Sequence, residues 1–340
     1  MRYYEITITQ SQANLSAGNK AFSPITFSTL NSSGLNNPSA LKVEIDAFQT
    51  YYHQPSQHSF LRISGVSYDI LKQGNNFNNA NISIKVGMSK GLPFATPSQQ
   101  GEIINGSIFQ AFGNWQGNMV TLDLVILSFN TNILTPTNLS FTWDKGVSLE
   151  TAIRTTLQNG FGTFDANGKR SAANVFGNLD ARLIYTETQP YTYNSLQSFS
   201  YAMWNISKQI IPDPTYAGVG ISAISSGFLL DDGTAPIAKT VQLQYQDLIG
   251  NVTWINTATI QTKLVMRGDI TIGDYIKFPT YTPVNEVAGN NSQARNNPSF
   301  SGVFRVNKIR HVGNSRQADA NSWVTILDCT VQNTPMEWYD

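Results

Sequence analysis

The chain has 340 residues, a length that predicts about two domains, or three small ones, and is ample for a buried core. Lys plus Arg equals Asp plus Glu at 22 each, and charged residues make up only 13% of the chain, so no net field would attract nucleic acid or anionic lipid over a distance. Nucleic-acid binding as a main role is therefore disfavoured, and Asn, Gln, Ser and Thr are expected to supply the surface polarity.

Cysteine usage and hydropathy bear on where the chain is made. The single cysteine, Cys329, lies in the apolar pattern WVTILDCTV, where a thiol behaves as a small hydrophobe and forms no intrachain disulfide. The start, MRYYEITITQ, lacks a continuous apolar signal core, and the chain lacks the run of about 18 apolar residues that a membrane-spanning helix needs. We therefore expect cytoplasmic synthesis and no membrane anchor.

Residues 1–130 are predicted to form a β domain, because short alternating runs recur between Gly, Asn and Pro clusters. The clearest alternation runs from Leu41 to Ala47, where Val43 and Ile45 would face the core and Glu44 and Asp46 the solvent. Similar runs follow, including one that makes Ile84 core-facing. The stretch QGNNFNNAN at 73–81 is predicted to cap a hairpin at the surface, since it is polar throughout most of its length.

Residues 131–238 are predicted to form an α+β middle region. Ser148 is placed as the N-cap of a helix that ends near Gly160, and a second helix is predicted after Ser195 and before Pro212. The apolar stripe of the second helix packs either on a sheet of the same chain or on another subunit. Residues 212–238 are rich in Pro, Gly and Ser and are expected to contain one short hairpin.

Residues 239–332 are predicted to form a second β domain, with 333–340 as a C-terminal tail. Leu243 belongs to an alternating strand pattern and is expected to be buried. Gly268 and Gly273 are expected to act through backbone torsions at tight turns, where a side chain would be opposed. The polar stretch at 280–302 is long enough to predict either mobility or an interaction surface.

The order of "LIGN", a strand, "LVMRGDITIGDYIKF" and then "VFRVNKIRHVGNSRQADANSWVTILDC" resembles the baseplate hub proteins of contractile-tailed phages and related injection machines. The resemblance covers roughly the last hundred residues by motif and the rest only by the pattern of elements. Asn314 stands where the family commonly has Asp. The positions that carry the motif are Leu248, Ile249, Gly250, Arg267, Gly268, Asp269, Gly273, Asp274, His311 and Gly313.

This resemblance implies a mainly β fold with minor α: two tail-tube-like β-barrel domains plus a small α/β middle region. It implies a structural virion component in the phage tail baseplate, in which a homotrimer acts as a symmetry adapter between the hexameric tail tube and the trimeric central spike. The implied partners are the tail tube protein, the central spike protein, the tape-measure protein and baseplate wedge proteins. DNA would be only a passing cargo in the channel that the trimer lines.

Candidate catalytic or metal-binding groups are few. His53 and His58 are predicted to be solvated loop residues and His311 a turn residue, because none has a partner at the spacing of a metal site. Glu44 and Asp46 are interpreted as a solvated strand face rather than a pair of acids that cleaves glycosides. We therefore expect alanine at any of these positions to leave function close to normal.

The remaining chemistry is equally sparse. Asp231-Asp232-Gly233 is interpreted as a turn, because the alternating acids and distal Glu of a calcium loop are missing. No G-x-S-x-G, P-loop or dinucleotide fingerprint occurs. We predict no enzymatic activity, no catalytic residue, no cofactor and no metal. The alternatives are a receptor- or carbohydrate-binding tail protein, favoured by aromatic content and polar loops, and a tail-associated glycan hydrolase.

Overall fold

A computed structural model describes residues 2–51, 53, 58–89, 97–127, 138–164, 170–184, 189–213, 216–224, 226–234, 239–256, 259–279 and 302–331. The fold is mainly β with minor α, as the sequence predicts. The described helices are α1 (Gln12–Ser16), α2 (Tyr68–Lys72), α3 (Leu149–Gly160) and α4 (Leu196–Ile210).

The N-terminal strands form an antiparallel array whose inner faces share one hydrophobic cluster. The alternation around Val43 is confirmed, because Val43 and Ile84 are both fully buried in that cluster. The strands are β1 (Arg2–Thr9), β2 (Ile25–Ser28), β3 (Lys42–Thr50), β4 (Ser59–Ser64), β5 (Asn81–Met88), β6 (Gly101–Gln116) and β7 (Met119–Leu127).

The surface position predicted for 73–81 is correct for Asn75, which is exposed, and wrong for Gly74, Phe77 and Ala80, which are buried. Gly74–Phe77 form a single turn of 3-10 helix, and this turn folds Phe77 under into the core, where the side chain is fully buried. Its ring meets the edge of Phe22 at a centroid distance of 5.1 Å. The neighbouring Asn78 side chain is hydrogen-bonded: its Oδ1 accepts the backbone N–H of Ala111 at 2.8 Å. Phe77 is therefore buried even though most of the residues around it are polar.

The middle region has its own hydrophobic cluster, in which helices pack on short strands. Both predicted helices are confirmed with their caps: Ser148 Oγ accepts from Thr151 N at 3.3 Å, and Ser195 Oγ accepts from Ser198 N at 3.1 Å. On α4, Phe199 is fully buried in the chain's own core, which favours the same-chain alternative for this part of the stripe. The strands are β8 (Leu139–Trp143), β9 (Gly162–Phe164), β10 (Arg170–Ala172), β11 (Val175–Phe176), β12 (Gln189–Tyr193), β13 (Gly220–Ile224) and β14 (Gly227–Asp231), and β13–β14 is the predicted hairpin.

The C-terminal strands build a third cluster, in which Leu243 and Cys329 are fully buried as predicted. Strand β19 pairs with β20 on one side and, in antiparallel register, with β3 of the N-terminal part on the other. The two β parts thereby form a single sheet of order β16-β17-β20-β19-β3-β4-β7-β6-β5-β1-β2. The strands are β15 (Thr240–Gln242), β16 (Thr253–Trp254), β17 (Thr259–Val265), β18 (Tyr275–Lys277), β19 (Val303–Asn314) and β20 (Trp323–Val331).

Two predicted segments lie outside the described residues: nearly all of the polar stretch at 280–302 and the tail at 333–340. The divisions at 130, 238 and 332 stay predictions. Within the described part of the chain, no helix is both long and apolar enough to cross a membrane.

Candidate functional site at the junction of the three regions

One buried group of charged and polar side chains joins one residue from each region of the chain. Tyr51 follows β3, Asp231 ends β14 and Arg305 lies in β19; we call these three residues the Arg305 cluster. Arg305 Nε donates to Asp231 Oδ2 at 2.8 Å and its Nη2 donates to the Tyr51 hydroxyl at 2.9 Å. The Tyr51 hydroxyl donates in turn to Asp231 Oδ2 at 2.9 Å. The cluster therefore ties the N-terminal, middle and C-terminal regions together through charged hydrogen bonds.

Burial keeps the Tyr51 hydroxyl of the Arg305 cluster protonated. Because Tyr51 is almost wholly buried, desolvation raises the pKa of its phenol well above the ordinary range, and the hydroxyl stays a donor. The second oxygen of Asp231, Oδ1, accepts the backbone N–H of Gly233 at 2.9 Å. The Asp231-Asp232-Gly233 segment does turn the chain, but its interpretation as only a turn is incomplete, since Asp231 is the sole carboxylate paired with Arg305 among the described ion pairs.

His53 belongs to the same junction: it lies in a turn, as predicted, but the prediction that its side chain is solvated is wrong. Its ring stacks between Tyr51 and Trp204 of α4, at centroid distances of 5.7 Å and 5.6 Å. Burial, with the charge of Arg305 as the second cause, lowers the pKa of His53 to about 4. The imidazole is therefore neutral at pH 7 and serves as a flat packing element between the N-terminal and middle regions. His58 is exposed, as predicted.

A second buried group, the Arg267 cluster, consists of Gln99, Asp247, Arg267 and Asp269. Arg267 Nη1 donates to Asp247 Oδ2 at 3.1 Å and Nη2 donates to Asp269 Oδ2 at 2.7 Å. Gln99, from the N-terminal part, donates through Nε2 to Asp247 Oδ1 at 2.7 Å. The side chains of Arg267 and Asp247 are only 6% and 3% exposed, so neither charge is available to solvent. The Arg267 cluster is thus a second polar contact between the two β parts.

Close backbone approach accompanies the Arg267 cluster. A Cβ atom on Gly268 would lie 2.4 Å from the carbonyl oxygen of Gly101, and Gly268 N donates to Gln99 O at 2.9 Å. The prediction that Gly268 acts through an unusual torsion is wrong, because its φ is not positive. What excludes a side chain at Gly268 is the backbone of the N-terminal part.

His311 is not a turn residue, contrary to the sequence prediction. It lies inside β19, is fully buried, and its Nδ1 is 2.9 Å from the hydroxyl of Thr325 on β20. The Thr325 hydroxyl has one proton and accepts from Arg267 N at 2.9 Å. With its proton on Nδ1, the His311 ring donates to the Thr325 hydroxyl, and Thr325 can donate its own proton to Arg267 O at 3.2 Å. Only Nε2, which is an acceptor in this tautomer, is then without a partner among the described residues. Burial lowers the pKa of His311 to about 3, so the ring is neutral at pH 7. Because the ring is buried and hydrogen-bonded, the reason for expecting alanine to be tolerated there no longer holds.

Gly313 marks a third contact between the two β parts. A Cβ on Gly313 would lie 2.6 Å from the Trp323 ring, so only glycine leaves room for that indole. Trp323 Nε1 donates across to the carbonyl of Gly87 at the end of β5, at 2.9 Å. Trp323 and Met266 both belong to the hydrophobic cluster of the N-terminal part, although they lie in the C-terminal part. The two cores therefore interpenetrate at this point.

The remaining motif residues lie in two other places. Gly273 has φ +84°, as its torsional role predicts, and its missing Cβ would contact Asp231 Oδ2 at 3.1 Å, beside the Arg305 cluster. Asp274 Oδ2 accepts from Thr271 N at 2.8 Å and from Lys239 Nζ at 3.0 Å. In the "LIGN" turn, Ile249 N donates to Lys263 O at 2.8 Å, the backbone of Leu248 forms a bridge with that of Leu264, and Gly250 has φ +80° with open space around it.

The structure brings together Arg267, Gly268, Asp269, His311 and Gly313. Sequence reasoning missed Tyr51, Gln99, Asp231 and Asp247. One available signal was an arginine set between Phe304 and Val306 in an apolar strand, since a cation in that position requires a buried carboxylate. Among the described residues, no group of three or more His, Cys, Asp and Glu is arranged to hold a metal ion.

Comparisons with known proteins give a fold but no relative by sequence. No protein-family model matches the chain, and no curated protein matches it. The 43 kDa tail protein of prophage MuSo2 from Shewanella oneidensis superposes with a TM-score of 0.53 at 6% identity, over 98% of this chain and 99% of that one. A component of the type VI secretion system of E. coli, described as structurally similar to bacteriophage T4 tail proteins, gives a TM-score of 0.49 at 9% identity over 87% of this chain and 75% of its own.

A tail protein from Neisseria meningitidis gives a TM-score of 0.44 at 9% identity, over 97% of this chain and 96% of its own. The Shewanella structure carries the conclusion, because its overlap extends over nearly the full length of both chains. That neighbour is a tail protein, and the resemblance of this chain to phage tail proteins is confirmed at the level of fold.

Proposed function

We propose that this protein is a non-enzymatic structural component of a phage-type tail. In this proposal it is the baseplate hub: a homotrimer that joins the hexameric tail tube to the trimeric central spike and surrounds the channel. The tail tube and spike proteins are its direct partners, with the tape-measure protein and wedge proteins as further ones. DNA passes through the channel without being held.

The observation that carries the proposal is the full-length fold match to the Shewanella tail protein. The match includes both β parts and the middle region, not one common module. At 6% identity it supports the fold alone, and the step from fold to tail assembly is our inference.

The junction supports the adapter role on physical grounds. A threefold hub that meets a sixfold tube has to present two similar units per chain at a fixed relative rotation. Here the two β parts share one sheet through β3 and β19, and hydrogen bonds in the Arg305 and Arg267 clusters also join them. A linker of Gly and Ser would leave the rotation free; a shared sheet with buried, charge-assisted hydrogen bonds restricts it.

The charge distribution supports a passive channel wall. With 22 basic and 22 acidic residues, the chain has no net positive field to retain a passing phosphate backbone. The buried cations Arg305 and Arg267 are satisfied by carboxylates of the same chain, which suits packing rather than proton transfer or ligand binding.

The decisive experiment is the copy number in purified tail particles from cells that make this protein. Quantitative mass spectrometry with labelled peptides should give three copies per particle against six copies per ring of the tube protein. Six copies at one level, one copy, or absence from purified tails would contradict the proposal. Release of sugar from purified cell-wall glycan by the isolated protein would instead favour the hydrolase alternative.

A further inference from the structure

A cavity of about 370 Å³ lies at one end of the seam where β3 meets β19, and we call it the seam pocket. Its walls come from the starts of β3 and β7, the end of β4 and the segment that follows β19. They include Leu41, Lys42, Ser64, Met119, Val120 and Arg316. The volume is in the range, about 300–1,000 Å³, of pockets that take small molecules. None of these residues belongs to the Arg305 or Arg267 cluster, so the seam pocket is a separate site.

Backbone contacts hold the two cations of the seam pocket on neighbouring segments. Ser315 N donates to Val43 O at 2.8 Å, and Ser315 Oγ accepts from Val43 N at 2.9 Å. Ser315 directly precedes Arg316, and Val43 directly follows Lys42. The guanidinium of Arg316 also donates through Nη2 to the carbonyl of Ala40, which keeps it beside the start of β3. Lys42 of the N-terminal part and Arg316 of the C-terminal part therefore face one cavity.

The seam pocket is positively charged, although the chain has equal numbers of basic and acidic residues. Lys42 and Arg316 are the charged residues among those described in its lining, and none of these is acidic. No ion pair of the described residues includes Arg316. Lys42 Nζ lies 2.6 Å from Glu44 Oε1, but the two side chains are 37% and 31% exposed. A pair so open to solvent is weak, so the ammonium can turn to a second anion at little cost.

The rest of the wall offers apolar surface and one hydroxyl. Leu41 and Val120 are half-buried and pack against the hydrophobic cluster of the N-terminal part, which holds them in place. Met119 is 58% exposed at the start of β7. The hydroxyl oxygen of Ser64 is buried without a hydrogen-bond partner among the described residues, a costly arrangement that an added polar group at this wall would relieve.

We propose that the seam pocket binds a small phosphomonoester that carries an apolar group. A phosphomonoester has a charge of about −1.5 to −2 at pH 7 and three strong acceptor oxygens, which suits two cations better than a single negative charge does. The planar fork of Arg316 matches two phosphate oxygens, and Lys42 supplies a point charge. The apolar group would lie on Leu41, Met119 and Val120. The inference goes beyond the proposed function and does not depend on it.

Calorimetric titration of the full chain at pH 7.5 tests the ligand class. The probes are phenyl phosphate, inorganic phosphate, which lacks the apolar group, and benzoate, which keeps the ring but has a single negative charge. We expect phenyl phosphate to bind at one site per chain, at least tenfold more tightly than either of the other two. No binding of phenyl phosphate, or equal binding of inorganic phosphate or of benzoate, would overturn the proposal. This comparison uses the unaltered protein, so it does not depend on the folding of any variant.

Variants locate the site. Arg316→Ala and Lys42→Ala should each weaken phenyl phosphate binding at least fivefold. Met119→Ser should weaken phenyl phosphate but leave inorganic phosphate unchanged, because only the ring contacts that side chain. The matched control is Lys20→Ala, at an exposed lysine outside the lining, which should change neither affinity. Equal melting temperatures without ligand show that the variants fold. Unchanged affinity in Arg316→Ala, or an equal loss in Lys20→Ala, would place the binding elsewhere and refute the assignment.

Discussion

Replacement of Asp231 by Asn should weaken the contact of the middle region with both β parts. The substitution keeps the shape of the side chain but removes the charge that balances Arg305. The Arg305 and Asp231 side chains are only 9% and 12% exposed, so water cannot replace the lost carboxylate. Tyr51 also loses a strong acceptor for its hydroxyl, which lies 2.9 Å from Asp231 Oδ2.

The magnitude follows from the burial. Removal of one partner of a buried ion pair leaves an uncompensated charge and costs about 3–5 kcal/mol. The matched control is Asp46→Asn, whose partner Arg310 lies at 2.8 Å but with both side chains more than a third exposed. An exposed pair of that kind contributes about 0–1 kcal/mol, because solvent screens it. We therefore expect the two isosteric changes to differ by at least 2 kcal/mol, on the order of the gap between these two classes of ion pair.

Native-state hydrogen exchange measures this difference locally. The amides of β13 and β14 report the free energy of opening of the hairpin that carries Asp231. Asp231→Asn should lower that free energy, and the double variant Asp231→Leu, Arg305→Met should recover at least half of the loss, because it leaves no charge unpaired. If Asp231→Asn lowers the opening free energy no more than Asp46→Asn does, the cluster does not hold the three regions together.

Other substitutions test the remaining parts of the argument. Gly273→Ala should lower the melting temperature more than Gly250→Ala, because both have positive φ but only Gly273 is crowded; equal losses would contradict the packing role. The pKa of His311, about 3, lies below the unfolded value, so the unfolded state binds more protons between the two and stability falls as pH drops from about 6.5 toward 3. His311→Asn should remove up to about 1.4 kcal/mol per pH unit of that slope in urea titrations, and an unchanged slope would contradict the burial argument. Val43→Asp, at a fully buried position, should cost several kcal/mol and prevent recovery of soluble protein, whereas Lys42→Asp should not.

Local pattern predicted the elements whose determinants lie within a few residues. The alternation around Val43 predicted β3 because one face of that strand is buried along its whole length. Ser148 and Ser195 predicted helix starts because each hydroxyl accepts a backbone N–H three residues on. In these cases the residues that stabilise the element are close in sequence as well as in space, so a short stretch of sequence is enough to predict it.

Local pattern failed where the determinant is distant in sequence. His53 looked solvated because its loop is polar, but its surroundings are Tyr51 and a tryptophan on α4. His311 looked like a turn residue because a glycine follows two positions later, but that glycine makes room for Trp323. The hydrogen-bond partners of Arg305, Asp231 and Tyr51, come from two other regions of the chain, so no short stretch of sequence contains them. The junction is therefore the part of the molecule that sequence reasoning was least able to predict.

The position of the junction contacts along β19 bears on how the two β parts move. Arg305 lies near the start of this strand and Gly313, beside Trp323, near its end. Eight residues of extended strand separate them by about 27 Å. A hinge motion about the seam between β3 and β19 would have to break the hydrogen bond from Arg305 to Tyr51 at one end and the hydrogen bond from Trp323 to Gly87 at the other. A single contact at the middle of the seam would leave rotation possible, whereas two widely spaced contacts oppose it. The two β parts are therefore expected to move as one body, which the proposed adapter role requires.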